Sequence, residues 1–364
     1  MTVPTTTAPG NLPSRSLSTK RFIVVPLGGM VFRQEKRGII VAACLLVAIA
    51  VVSVWSLMTG DYPVSAGGVL ATLAGAGTDS MAGFFILELR APRVVLALLL
   101  GAALGISGAI FQTLTANPLG SPDITGFTTG AATGAIIQII VIGGGPLAIG
   151  LGALFGGAAT GVTVYLLSRR QGVTGTRFVL IGIGVAAILQ GVNGLLIVKA
   201  SLTAAQTAAQ WLAGSLNATG WGKVTVIAMA LAVLVPAAFV LARPLTVLVT
   251  GADLATGLGV NVPAVRAALI VVGVGLVAVA VSAAGPIAFV ALAAPQLAKR
   301  LTGSSGAGMG NAGLMGALLV VASDLVAMRI VAPVQLPVGI VTGSLGGIYL
   351  IWLLSRQWKK EKNA

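Results

Sequence analysis

Residues 88–134 read ELRAPRVVLALLLGAALGISGAIFQTLTANPLGSPDITGFTTGAATG. Inside this stretch, Val94 to Ala116 carries no charge. Arg90 and Arg93 bound it on one side, and Asn117-Pro118-Leu119 on the other, where the proline forbids continuation of a helix. A helix rises 1.5 Å per residue and the hydrocarbon core of a bilayer is about 30 Å thick, so some 20 apolar residues cross it. The stretch is long enough to span a membrane.

The rest of the chain follows the same pattern. Of 364 residues, 57% are hydrophobic and 8% charged, against roughly 25% charged in soluble domains, which excludes a water-soluble domain and intrinsic disorder together. Stretches almost free of Asp, Glu, Lys and Arg, with Asp123 at the edge of the third and Asp324 inside the ninth, lie near 38–58, 94–116, 123–142, 146–168, 178–198, 224–242, 267–283, 285–298, 310–328 and 337–355. They predict an all-α polytopic membrane protein of about ten transmembrane helices. The eighth stretch is short and opens on Gly285-Pro286, so a tilted or broken span is expected there.

An N-terminus on the cytoplasmic side places 17 of the 22 Lys and Arg residues in the cytoplasm and leaves Arg90, Arg93, Lys199, Lys223 and Arg329 outside. The positive-inside rule selects this orientation, with both termini cytoplasmic. The expected organisation is a cytoplasmic tail over 1–37, a transmembrane domain over 38–355 and a second cytoplasmic tail over 356–364. Residues 1–20, rich in Ser, Thr and Pro, read as a disordered tail. The apolar stretch Phe22 to Phe32 has the length of a signal-peptide core, but a basic run follows where a small-residue cleavage site belongs, so no cleaved signal is expected.

Several function classes are excluded by what is missing. The chain has no histidine and one cysteine, Cys44, which removes the usual metal ligands and acid-base catalysts; no catalytic residue, cofactor or metal is expected. The net charge of +14 is spread between apolar spans as a topology signal, so no nucleic-acid partner is expected. Ion-coupled carriers place carboxylates in the membrane, whereas of the eight acids only Asp324 falls clearly within a span. No phosphate-binding loop of the Gly-x-x-x-x-Gly-Lys-Ser/Thr type occurs, so any use of ATP requires a partner. Glycines spaced by four, at 101/105, 126/130/134 and 339/343/347, read as faces on which helices approach closely.

The segment from Glu88 to Gly134 resembles the signature of the iron-siderophore permease family, the membrane subunits of type II ABC importers. The resemblance continues in GADLATGLGVNV from Gly251, AAGPIAFVALAAPQLAKRL from Ala283 and QLPVGIVTGSLGGIYLIWLL from Gln335. NPLGSPDITGF, the KASLTAAQTAAQWLAGSLN segment from Lys199, and Gln335 rather than Glu before LPVG are most similar to the ferric enterobactin subgroup. The resemblance implies ten helices with an internal inverted repeat, the second to fifth against the seventh to tenth.

The same resemblance implies roles for particular residues. Arg90 and Arg93, read from the sequence alone, are either snorkelling interfacial anchors or docking groups; in the family, arginines on this rim pair with glutamates of a substrate-binding protein. The family's third arginine falls at Met328 by position, and this chain has Arg329 one residue later. The loop 243–266, in which 251–260 reads as a short amphipathic helix, corresponds to the coupling loop that sits on the ATPase, with Gly251, Asp253, Leu254, Ala255, Leu258, Gly259 and Val260 as contact positions. Asn117, Leu119 and Thr176 correspond to the cytoplasmic gate. Gln296 stands where most of the family has histidine, and no role is assigned to it.

The function implied is a non-enzymatic permease of the cytoplasmic membrane that moves ferric siderophore, of the catecholate kind, inward. Its implied partners are a second permease subunit, identical or not, two ABC ATPase subunits and a substrate-binding protein. Vitamin B12 or haem import is the alternative within the same motifs, and an ion-coupled secondary carrier the alternative outside them.

Overall fold

Each of the ten apolar stretches falls on a helix in the computed structural model, which describes residues 22–27, 30–60, 62–77, 79–169, 175–303, 306–331 and 334–361. The helices are α1 (Lys36–Met58), α2 (Ala66–Leu73), α3 (Ser80–Phe84), α4 (Ala91–Leu114), α5 (Phe127–Ile137), α6 (Pro146–Ser168), α7 (Gly175–Lys199), α8 (Leu202–Leu212), α9 (Trp221–Val240), α10 (Ala242–Leu248), α11 (Ala252–Gly257), α12 (Val262–Ala284), α13 (Val290–Thr302), α14 (Met309–Arg329) and α15 (Val338–Glu361). Wider π turns at Phe85–Arg90 and Gln138–Ile142 join α3 to α4 and extend α5.

Among the described residues, seven helices are long and apolar enough to cross a membrane: α1, the continuous run Ser80–Leu114, α6, α7, α9, α12 and α14. Two more are shorter, Phe127–Ile142 and Val338–Ile351 within α15. The eighth stretch is broken, as expected. Gly285 and Phe289 both have positive φ, and only at Val290 does the 13-residue α13 begin, so its helical part rises about 20 Å.

Two findings lie outside the sequence reading. Phe22–Leu27 and Met30–Glu35 pair as an antiparallel hairpin, β1 and β2, in register from Phe22 with Glu35 to Leu27 with Met30. The disordered tail expected over 1–20 lies outside the described residues. In addition, α2, α3 and α8 occupy loops with no long apolar run; Ser65, Asp79 and Ser201 cap their N-termini by accepting backbone N–H bonds.

The bundle is built around α4. Its hydrophobic window is 78% buried, against 6% for α1 and 11% for α7, so α4 is the axis while α1 and α7 keep open faces. Glycine permits this: a Cβ at Gly105 would stand 2.1 Å from the Ala312 carbonyl oxygen, and one at Gly316 would stand 2.1 Å from that of Gly101. Lipid supplies no hydrophobic drive between helices, so such contacts carry the association of α4 with α14. The 130/134 glycines act likewise against Gly152 and Gly156 of α6, whereas Gly343 and Gly347 face open space. Phe111, Phe127 and Phe178 cluster with ring centroids 5.2 to 6.2 Å apart, tying α4, α5 and α7 together.

Candidate functional site

One rim of the bundle is built where the π turn Phe85–Arg90 feeds into α4. Pro92 sits where the π turn passes into α4, and Arg90 and Arg93 lie one turn apart. Arg90 donates to the carbonyls of Leu57 at 2.8 Å and Tyr62 at 2.6 Å, and its guanidinium lies 5.7 Å from the Phe85 ring centroid. It closes the α1–α2 loop onto α4.

Arg93 does more. Its Nε and Nη2 donate to Asp324 Oδ2 and Oδ1 at 2.8 and 2.9 Å, and its Nη1 donates to Gln335 Oε1 at 2.9 Å. Side-chain exposure is 11% for Arg93 and 1% for Asp324. This bidentate pair joins α4 to α14, and Gln335 joins both to the start of α15. Arg93, expected as a snorkelling anchor or a docking group, is thus engaged by Asp324 and Gln335 within the fold. Asp324, the one acid that falls clearly within a span, is the buried partner in this pair. Arg329, at the end of α14, is exposed, and no partner meets it among the described residues.

Beside the rim, the Tyr62 hydroxyl donates to Asp79 at 2.8 Å, and the Met81 and Ala82 N–H groups donate to the same carboxylate. Together, the tyrosine first, they hold Asp79 below the usual carboxylate range, and Asp79 in turn pushes the Tyr62 hydroxyl up.

On the opposite side, α10 and α11 fold the loop after α9. Gly251, with φ of 107°, precedes α11, and Gly259, with φ of 83°, follows it, conformations that favour glycine. Leu254 and Leu258, four residues apart, are 56% and 65% exposed on one side of this turn, and Asp253 is exposed in its first turn. Ala255 is fully buried. Of the expected ATPase-contact positions, Ala255 is thus an anchor to the bundle and not part of the presented surface.

The positions expected at the gate lie on the turn after α4 and the start of α7. Helix α4 ends through Ala116 at φ 48°, and the Asn117 side chain accepts the Leu119 N–H at 2.9 Å, forming the Asn-Pro-Leu turn. A Cβ on Gly175 would come within 2.5 Å of the Thr115 carbonyl oxygen, so the start of α7 abuts this turn. Leu119 and Thr176 are exposed there.

A transport-family model, described as the FecCD transport family, matches residues 44–356. The chain belongs to the FecCD transport family. The ferric enterobactin transport system permease protein FepG of Escherichia coli (strain K12) is 45% identical over 89% of this chain and 98% of its own length. The achromobactin transport system permease protein CbrC of Dickeya dadantii (strain 3937) is 37% identical over 87% and 91%. A solved metal-chelate type ABC transporter in an inward-facing conformation matches with TM-score 0.78 and 25% identity, over 87% of this chain and 99% of that one. This FecCD protein is thus a permease component of an ABC importer for iron siderophore and a multi-pass protein of the cytoplasmic membrane.

Sequence reasoning passed over three polar residues of the FecCD chain. Gln112 donates from Nε2 to the Leu292 carbonyl at 2.9 Å, and Gln296, left without a role, donates from Nε2 to Gln112 Oε1 at 2.6 Å and to the Pro118 carbonyl at 3.4 Å. Together they lock α13 to the end of α4 and to the Asn-Pro-Leu turn. Asp123 accepts the Thr128 hydroxyl at 2.6 Å and the Phe289 backbone N–H, so it ties the turn after α4 to the start of α13. The signal was available in Pro122-Asp123, an acid in a turn between two spans, but its partner lies 166 residues away.

Proposed function

We propose that this permease translocates a ferric catecholate siderophore inward, in a complex with a second permease subunit, two ABC ATPase subunits and a substrate-binding protein. The observation that carries the substrate is the identity of 45% to the ferric enterobactin permease along nearly its whole length. Ten crossings rest on the ten apolar stretches, and cytoplasmic termini on the charge asymmetry. In that frame α11 faces the cytoplasm, where Leu254 and Leu258 form an apolar knob that enters the ATPase, with Gly251, Asp253, Gly259 and Val260 shaping the loop around it. Asn117, Leu119 and Thr176 narrow the inner end of the pathway.

Open faces on α7, at Gly184, Gly191 and Gly194, and on α15, at Gly343 and Gly347, support contact with a second permease, so that each chain supplies one wall. The chelator already satisfies the iron, so these walls need no metal ligands. ATP binding and hydrolysis favour different separations of the coupling helices, and the permease pair follows by a shift of population. Arg329 and the exposed edge of Arg90 receive acidic groups of the binding protein, with Arg93 fixing the rim beneath them.

Uptake into proteoliposomes holding the reconstituted complex tests the substrate. Radiolabelled ferric enterobactin accumulates, whereas labelled cobalamin and haem do not. Accumulation of either of the latter without the former overturns the assignment.

A further inference from the structure

We propose that the cavity beneath Lys223 binds an anionic phospholipid, its acyl chain inside the cavity and its phosphate on the lysine. The cavity measures about 660 Å³, within the range of small-molecule sites. It lies between the start of α6, the start of α9 and the end of α12. Leu147, Leu151 and Leu154 form one wall, and Val226, Ile227 and Val279 the other. Leu147, Leu151 and Val226 are also exposed on the outside of the bundle, so the opening is not covered by another part of the chain.

Lys223 lines this largely apolar space and is half-buried. Among the described residues no carboxylate or other acceptor meets its ammonium, although a cation withdrawn from water is costly unless paired. Its aliphatic stem lies along the walls while the head requires an anion at the mouth. Gln210 and Asn217, both exposed, line the same mouth and add amide donors.

The depth of the site points to a lipid and not to a soluble anion. Trp221, two residues before Lys223, donates its indole N–H to the Leu87 carbonyl at 2.8 Å, and Trp211 lines the cavity itself. Tryptophans with one polar and one apolar edge gather at the headgroup level. The lysine therefore sits where a phosphate lies, and the cavity where a chain begins. Assignment to the outer leaflet rests on the topology proposed above; the lipid preference does not, so a wrong orientation would leave the binding result intact.

Native mass spectrometry of the purified full chain in detergent, titrated with phosphatidylglycerol and with phosphatidylcholine of the same chains, tests the site. Wild type holds phosphatidylglycerol about fivefold more tightly, the factor that one interfacial lysine contributes. Lys223→Gln brings the two lipids level, Lys223→Arg keeps the preference, and Ala230→Trp, which fills the cavity, weakens both. Size exclusion and thermal unfolding confirm that each variant is folded, and the arginine and tryptophan variants carry the test if the glutamine variant is not. A folded Lys223→Gln chain with undiminished preference overturns the proposal. So does displacement of phosphatidylglycerol from wild type by inorganic phosphate or ferric enterobactin, which would assign the cavity to a soluble anion.

Discussion

Replacing Arg93 by methionine keeps most of the side-chain volume and removes both bonds to Asp324 and the one to Gln335. Asp324 then remains as an unpaired carboxylate with 1% exposure. Breaking a buried ion pair from one side costs about 3–5 kcal/mol, and the low exposure of both partners leaves little solvent screening to reduce it. Asp324→Leu strands the guanidinium and costs a similar amount. The double variant removes both charges and restores an apolar contact between α4 and α14, so it is more stable than either single variant, with a coupling of about 3 kcal/mol. Equilibrium unfolding of the purified permease alone measures this without any binding protein present. If each single change alters stability by less than about 0.5 kcal/mol, and only the affinity for the binding protein falls, Arg93 is a docking group and the internal-pair reasoning is wrong.

Three further outcomes follow. Leu258→Asp, which places a charge on an exposed apolar knob, leaves folding intact and abolishes both uptake and stimulation of the ATPase; unchanged coupling would remove α11 from the interface. Arg329→Glu weakens binding-protein affinity by about two- to fivefold, as expected of a solvated rim charge, with the effect fading at high salt; an unchanged affinity at low salt would discard it. Because Asp79 is held below its usual range, its capping of Met81 and Ala82 is present at neutral pH and is lost as pH falls through that lowered value, below the reference of about 3.9. Hydrogen exchange at those two amides reads the loss, and Asp79→Asn shifts it out of the acid range.

The fold was legible because its signals are local. A run without charge reports a span by itself, and the Asn-Pro-Leu and Gly285-Pro286 breaks show where helices stop. Glycines at 101/105 and 130/134 announced close approach, and the structure supplies their partners on α14 and α6. The site was less legible because its decisive contacts are remote in sequence. Arg93 and Asp324 are 231 residues apart, so neither the rim arginine nor the intramembrane acid shows its partner in the sequence. Burial of Ala255 inside an otherwise exposed loop, and the Gln112–Gln296 bond that joins α4 to α13, depend on the same long-range packing.

The central claim is that transport by this permease is driven by ATP through α11 and not by an ion gradient. Proteoliposomes holding the assembled complex, with ferric enterobactin and binding protein outside and no ion gradient, measure it directly. Lumenal ATP produces accumulation, and a non-hydrolysable analogue or an imposed proton or sodium gradient without ATP produces none. Accumulation driven by either gradient in the absence of ATP would contradict the account.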